Sequence, residues 1–360
     1  MPGLIAMPAS SVSFALVGCG AIAGKHIEAL SRIDQGRIAA VCDINAQAAK
    51  CLGDRLGVPW FTDPGEMAQA VPFDVFTILT PSGAHGENVI ELARFGRHFV
   101  VEKPIALRLD EADRMIAACD AAGVKLFVVK QNRFNPPVVA LKRAIDEGRF
   151  GRMVMGTVRV RWSRDAAYYT SKPWRGTWQQ DGGVLMNQAS HHIDMLLWLM
   201  GDVESVSAMS ATRLAPIEAE DTAAALLRFS SGALGIVEAT TATRPADLEG
   251  SLSVLGEYGS VEIGGFFMNR LQTWAFSTLD PSDQMIREQQ ASVPAIPAWN
   301  HEQYLRAVID AVHSDRLGLV DGLAGRRALE LTTAIYEAIE TGREVSLRFR
   351  PKRCRVGFVP

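Results

Sequence analysis

Three groups of residues in this chain have types and spacings that can do chemistry. The first is Gly18-Cys19-Gly20-Ala21-Ile22-Ala23, a GxGxxA run between a short apolar stretch, 13–17, and a helical pattern, 21–31. Gly18 permits a tight turn, Gly20 lets backbone N–H groups approach a pyrophosphate, and Ala23 lets the helix pack on the strand. Unpaired N–H groups at the helix start favour the phosphate charge. Asp43 follows a second apolar run, 38–42, where a carboxylate accepts from both ribose hydroxyls. It would repel a 2′-phosphate, and Ile44-Asn45 supply no arginine to receive one. The pattern predicts a dinucleotide site in which Gly18, Gly20, Ala21, Ile22 and Asp43 meet NAD rather than NADP. The competing reading, an ordinary strand-to-helix turn, is disfavoured by the flanking elements and by Asp43.

The second group is Glu102-Lys103-Pro104, after the apolar run 98–101. A lysine at the end of a strand lies in the crevice where open α/β sheets bind ligands, and the following proline allows a cis bond. Elsewhere, a lone lysine is a solvated surface residue. The third group is the run from Gly182 to His191, which leads into His192-Ile193-Asp194. Adjacent helical histidines point about 100° apart, so both are not expected to face one substrate. A metal pair would prefer i, i+4 spacing, so no metal site is expected and His192 reads as structural. A lysine or a histidine held in a crevice is a group that can take or give a proton near neutral pH.

The elements that must carry these groups change character along the chain. In the first third, strands at 13–17, 38–42, 75–79, 98–101 and 126–129 alternate with helices at 21–31, 45–56, 86–95 and 110–122, with a short helix beginning at Pro64. That rhythm predicts a parallel sheet covered on both faces. After about residue 150, strands at 153–162, 203–212, 223–229, 233–241, 251–255 and 260–263 follow with few helices between them, which predicts an antiparallel sheet. Helices at 301–313 and 322–340 close the chain, and 280–297, rich in proline, reads as a loop. The fold class is therefore α/β: a Rossmann domain over 1–133, then an α/β domain over 134–360 on an open, mostly antiparallel sheet. The last residues are free to pack back on the first domain.

Composition narrows the class. The 360 residues are 48% hydrophobic and 21% charged, which suits a core-forming chain. A net charge of −3 gives no global basic excess for nucleic acid. Five cysteines, 19, 42, 51, 119 and 354, form no CxxC pair, which points to a reducing compartment, the cytoplasm. The N-terminal stretch has no Lys or Arg before its apolar residues, unlike a signal peptide. The most apolar window, 184–200, holds Asn187, Gln188, His191, His192 and Asp194, so no membrane span is expected.

Together with Thr80-Pro81-Ser82, these motifs resemble the glucose-fructose oxidoreductase/inositol dehydrogenase/MocA (Gfo/Idh/MocA) family over nearly the whole chain. The resemblance implies oxidation or reduction of a sugar carbon with a nicotinamide cofactor, and homodimers or homotetramers formed through the sheet. It implies Lys103 and His191 as catalytic residues, and Thr80, Pro81, Ser82, His85, Glu102, Lys103 and Gln131 as further cofactor contacts. Finer runs, 130–135, 174–178 and 186–191, resemble the WlbA-type UDP-N-acetyl-2-amino-2-deoxyglucuronate 3-dehydrogenases of bacterial surface-polysaccharide synthesis. That subgroup implies oxidation of a C3 hydroxyl on a UDP-sugar.

Many relatives carry Asp where this chain has Asn187, one helical turn before His191. Asn removes a negative charge, which suits an anionic substrate, and the WlbA-type enzymes share it. Such a substrate needs cations: Arg133, Arg161, Arg164, Lys172 and Arg175 are candidates, because guanidinium forks match carboxylate and phosphate oxygens. Arg175, within the subgroup motif, is favoured alongside Arg133, Asn187, Lys103 and His191 as substrate contacts. For Arg159 and Arg161, which share one strand face, a solvated edge is equally open. Trp162, Trp174 and Trp178 read as core or pocket wall, and Tyr168-Tyr169 stays undecided. His301 is either within reach of the site or an exposed residue near a helix start. Two other functions remain: a dehydrogenase of a free sugar or inositol, and a non-catalytic NAD-binding sensor or scaffold, which would be expected to have lost Lys103 or His191.

Overall fold

The apolar runs of the first third form strands because they are sealed on both faces. In the computed structural model, which describes residues 11–266, 268–291, 298–314 and 321–347, they alternate with helices. The order is β1 (Val12–Val17), α1 (Ala21–Leu30), β2 (Gly36–Cys42), α2 (Ala46–Leu56), β3 (Trp60–Phe61), α3 (Pro64–Ala70), β4 (Val75–Ile78), α4 (His85–Leu92), β5 (His98–Val101), α5 (Leu109–Ala121) and β6 (Leu126–Val128). All six strands are parallel, in the order β3-β2-β1-β4-β5-β6. Every residue of β1 and β4 is buried, as a doubly covered sheet requires. The helix starts are written in the sequence. Asn45 accepts from the Ala48 N–H at 3.1 Å to cap α2, and Asp63 accepts from the Glu66 N–H at 2.7 Å to cap α3, with Pro64 in its first turn. Chain direction across the sheet reverses between β1 and β4, where sheets of this kind bind ligands.

The chain continues through α6 (Pro136–Asp146), β7 (Met153–Arg161), α7 (Ala166–Thr170), α8 (Ser190–Met200), β8 (Val203–Ala211), β9 (Thr222–Phe229), β10 (Leu234–Thr240), β11 (Glu249–Gly256), β12 (Gly259–Gly264), β13 (Arg270–Phe276), α9 (Ser282–Ala291), α10 (Trp299–His313), α11 (Gly322–Thr341) and β14 (Val345–Ser346). The second sheet has eight strands in the order β13-β12-β11-β7-β10-β9-β8-β14. Only β7 and β10 pair in parallel; the other neighbours are antiparallel. Alternation sets its faces: Ala223, Ala225, Leu227 and Phe229 of β9 are buried, while Leu226 is 63% exposed. On the covered face α8 lies against β7, so closely that a Cβ on Gly156 would stand 2.7 Å from the Leu196 and Met200 side chains. On the open face Arg161 makes a bidentate pair with Glu238 (2.6 and 2.8 Å) and reaches Glu249 at 3.0 Å.

Contacts divide the chain into two units. One holds 1–135, 179–181 and 294–329; the other holds 136–178, 182–293 and 330–360. A single cut at 133/134 therefore misassigns a returning segment. The reason is apolar: Tyr304, Leu305, Val308 and Ile309 of α10 enter the core that contains Phe14, Ala29, Leu30 and Phe127. The reading of 280–297 as loop is also corrected over Ser282–Ala291. That helix starts on buried Asp283, which takes Arg149 at 2.8 and 2.9 Å and the Trp274 Nε1–H at 2.7 Å. The rest of that segment to 297, the first ten residues and Cys354 lie outside the described residues. Among the described residues, no helix is long and apolar enough to cross a membrane.

Candidate active site

Within the first unit the glycine loop joins β1 to α1. Gly18 has φ +106°, and a Cβ there would meet the Leu79 carbonyl carbon and oxygen at 2.7 Å. It is the residue that lets the ends of β1 and β4 approach. Gly20 differs: a Cβ there would meet nothing within 4 Å, so no protein atom requires glycine. The open space beside the first N–H groups of α1 is what a pyrophosphate needs. Asp43, at the end of β2, is held by two backbone donors, the Cys19 N–H to Oδ2 at 2.8 Å and the Asn45 N–H to Oδ1 at 2.9 Å. Each oxygen keeps a lone pair for a ribose hydroxyl. Ile44, passed over in the sequence, is 95% exposed beside it. Burial, and then the Asp43 charge, push the Cys19 thiol up to about 12, which leaves it inert as a nucleophile.

The second motif follows β5. The Lys103–Pro104 peptide is cis. Lys103 is half-buried, and burial lowers its ammonium pKa; Glu102 and Asp181 oppose the shift and Lys130 adds to it. A lysine of lowered pKa in a crevice suits proton transfer. His85 is buried with Nδ1 2.8 Å from the Pro104 carbonyl oxygen and Nε2 3.0 Å from that of Thr80. Burial pushes its pKa down, so a neutral ring donates to one of the two. His85 thus ties the end of β4 to the cis corner. The Glu102 carboxylate also turns inward: Oε1 accepts from His26 Nε2 at 2.8 Å and Oε2 from the Lys103 N–H at 3.1 Å. His26, on the buried side of α1, drew no notice in the sequence because nothing local marks it. His301 is neither exposed nor a cap: it is buried, its ring centroid 5.6 Å from that of His26.

Within the second unit, a loop built on Gly182 and Gly183 leads to α8. Gly182 has φ +78°, and a Cβ on Gly183 would stand 2.3 Å from the Glu220 carboxyl. Glu220 is the organiser, unnoticed in the sequence. Its Oε1 accepts from the Leu185 N–H and from the Tyr336 hydroxyl, both at 2.9 Å, and burial pushes its carboxyl pKa up despite these donors. Asn187 and His191 are half-buried, while their neighbours Gln188 and His192 are buried. The helix begins at Ser190, so Asn187 lies in the turns before it and not on α8 itself, correcting the expected shared helix face. His192 packs its ring against Trp162 at 5.8 Å, and burial holds it down at about 3, a structural neutral histidine.

The cations sort by what already holds them. Arg161 is spent on Glu238 and Glu249, and Arg159 reaches Glu249 at 3.3 Å. Arg164 bonds Asp247 at 3.1 Å and lies 5.4 Å from the Trp162 ring centroid. Arg175 curls onto α7, donating to the Tyr168 carbonyl and Ser171 hydroxyl at 2.7 Å, 4.0 Å over the Tyr168 ring, with its buried Nε unmatched. Arg133 is half-buried in a short turn of helix, 131–134, that also carries Gln131.

Comparison with known proteins agrees with this arrangement. Residues 12–130 match the model of an oxidoreductase family with an NAD-binding Rossmann fold, and 138–262 match the GFO/IDH/MocA C-terminal domain. The WlbA dehydrogenase of Bordetella pertussis, solved with NADH and UDP-GlcNAcA, is 42% identical with a TM-score of 0.91, covering 95% of this chain and 99% of that one. The myo-inositol 2-dehydrogenase of Thermotoga maritima is 28% identical over 92% of this chain and 97% of its own length. The D-apiose dehydrogenase of Paraburkholderia graminis is 30% identical over 64% of this chain; the match spans only 61% of that enzyme. The chain belongs to the Gfo/Idh/MocA family, as an NAD-dependent sugar dehydrogenase whose structural neighbours include the WlbA enzymes.

Proposed function

We propose that the substrate is UDP-N-acetyl-2-amino-2-deoxyglucuronate and that the reaction oxidises its C3 hydroxyl to a ketone, for bacterial surface-polysaccharide synthesis. The observation that carries this reading is the 42% identity, across 95% of the chain, to an enzyme solved with UDP-GlcNAcA. Asn187 adds to it, being neutral where the family resemblance leads one to expect Asp in many members. Bound NAD supplies the hydride acceptor. For the cofactor, Gly18, Gly20, Ala21, Ile22 and Asp43 form the cradle, with Thr80, Pro81, Ser82, Gln131 and the Glu102-Lys103 backbone beside it. Ile44 offers an apolar platform for the adenine. Lys103 takes the hydroxyl proton, since burial favours the neutral amine that can accept one. His191 hydrogen-bonds the reacting sugar, and Arg133 and Arg175 meet its negative charges.

A second reading, oxidation of a free sugar or inositol, is favoured by the inositol and apiose dehydrogenases among the relatives. Turnover of UDP-GlcNAcA, myo-inositol and D-apiose, followed by NADH absorbance, separates the two. Preference for the sugar nucleotide by kcat/KM supports the first, and preference for the polyol or free sugar replaces it. We also propose that copies of the chain pair through the open face of the second sheet, where Leu226, Leu234 and Leu255 are exposed around the arginine–glutamate ladder. Such a dimer or tetramer would work in the cytoplasm. Light scattering that returns the monomer mass, 39.1 kDa, would end this part.

A further inference from the structure

Three elements of the first unit bring titratable side chains to one buried point: His26 from α1, Glu102 beyond β5, and His301 from α10. Their nearest donor and acceptor atoms all lie within 4.8 Å of one another. The Glu102 carboxylate is the centre. It is ionised: the His26 hydrogen bond comes first among the effects that outweigh burial and hold it at about 2, followed by the positive charge that His26, His301 and Lys103 exert when protonated. An ionised carboxylate only accepts, so the proton between it and His26 sits on Nε2. The other oxygen accepts from the N–H of Lys103 at the cis corner. A residue buried at 0% exposure thus anchors the carboxylate that grips the backbone of the proposed base.

Resting on the reading of Lys103 as the base, we propose that His26 and Glu102 are positioning residues for it. The anchored carboxylate fixes the Lys103 backbone, and its negative charge sets the pH at which the side chain releases its proton. The charged groups around Lys103 are few. Glu102 and Asp181 retain its proton, and Lys130 opposes them. His85 feels both Glu102 and Lys103. Around Glu102 stand His26, His301, Lys103 and Tyr304, with Lys25 acting on His301. Burial holds His301 down at about 4, so it is neutral at working pH and gives Glu102 no competing cation. Among these groups Glu102 is the first charge that holds the proton on Lys103, so its removal is the informative change.

The test uses the full chain. The pH dependence of Lys103 acetylation, read by mass spectrometry, reports its proton affinity without any substrate. In Glu102→Gln the midpoint moves to lower pH by about 1 to 3 units, the usual effect of losing one close opposite charge. His26→Ala lowers kcat at least tenfold with the NAD KM unchanged, and His26→Gln, which returns a donor near the Nε2 position, restores most of it. An unmoved labelling midpoint in folded Glu102→Gln, or loss in His26→Ala that His26→Gln does not restore, overturns the proposal. If Glu102→Gln does not fold, the two His26 variants decide alone. Binding of one Zn²⁺ per chain, lost in His301→Ala, overturns it as well, because a metal ion would then balance the carboxylate. Full turnover by Lys103→Ala would remove the base assignment itself, whereas the labelling shift stands or falls without it.

Discussion

Asp43 is the residue on which cofactor choice turns. Its oxygens are fixed by the Cys19 and Asn45 N–H groups, so the carboxylate is preorganised before any ribose arrives. Asp43→Ala removes the acceptor for two hydroxyls and should weaken NAD binding by about tenfold or more, at about 1 to 1.5 kcal/mol per lost bond. A fluorescence titration with NADH measures it, and native protein binding NAD and NADP equally would refute the assignment. Asn187→Asp restores a negative charge near the proposed uronate; the fold should survive and the apparent KM for UDP-GlcNAcA should rise, and an unchanged KM would count against an anionic substrate. Asp43 was singled out by type and spacing, and Asn187 by the family resemblance. His26 and Glu220 were not, since each matters only through a partner more than thirty positions away, at Glu102 and Leu185. Sequence spacing reports neighbours on one element, whereas these two work across elements.

At the scale of elements, the strands and long helices were readable because burial imposes periods of two and 3.6 on the residues themselves. Helix α9 was not. It carries few apolar residues, and its start depends on Asp283 being buried against Arg149, Trp274 and the Asp280 N–H. Desolvation would raise the Asp283 pKa, but these donors hold it at about 2. Its contribution to stability is therefore present above the unfolded carboxylate value and fades as pH falls towards 2. Asp283→Asn keeps the shape and strands the Arg149 charge, so it should cost about 3–5 kcal/mol at neutral pH, as broken buried pairs do. Chemical denaturation measures the loss, and a change under about 1 kcal/mol would show the pair to be solvent-screened.

For the molecule as a whole, acid stability follows from histidines whose pKa burial lowers, among them His85 and His301 in the first unit and His192 in the second. His192 is held at about 3 and His301 at about 4, both chiefly by burial. An unfolded histidine takes up a proton near pH 6.5, so between that value and about 4 the unfolded chain binds more protons than the folded one. Stability falls as pH falls across this window, which lies above the range, from the unfolded carboxylate value down to about 2, where Glu102 and Asp283 lose theirs. The first acid transition on lowering pH should therefore belong to the histidines. His192 makes the cleaner test, because both its nitrogens are without a hydrogen-bond partner and its ring meets Trp162 edge-on. His192→Phe fills the same space with a group that cannot take a proton. It should match the native Tm at pH 7.5 within a few degrees and lose less Tm between pH 6.5 and 4.5 (by about 4–8 °C per kcal/mol in small domains, less in larger ones). Parallel Tm curves for the two proteins across that range would mean that His192 is already protonated or solvated in the fold, and the acid sensitivity would then have to come from elsewhere.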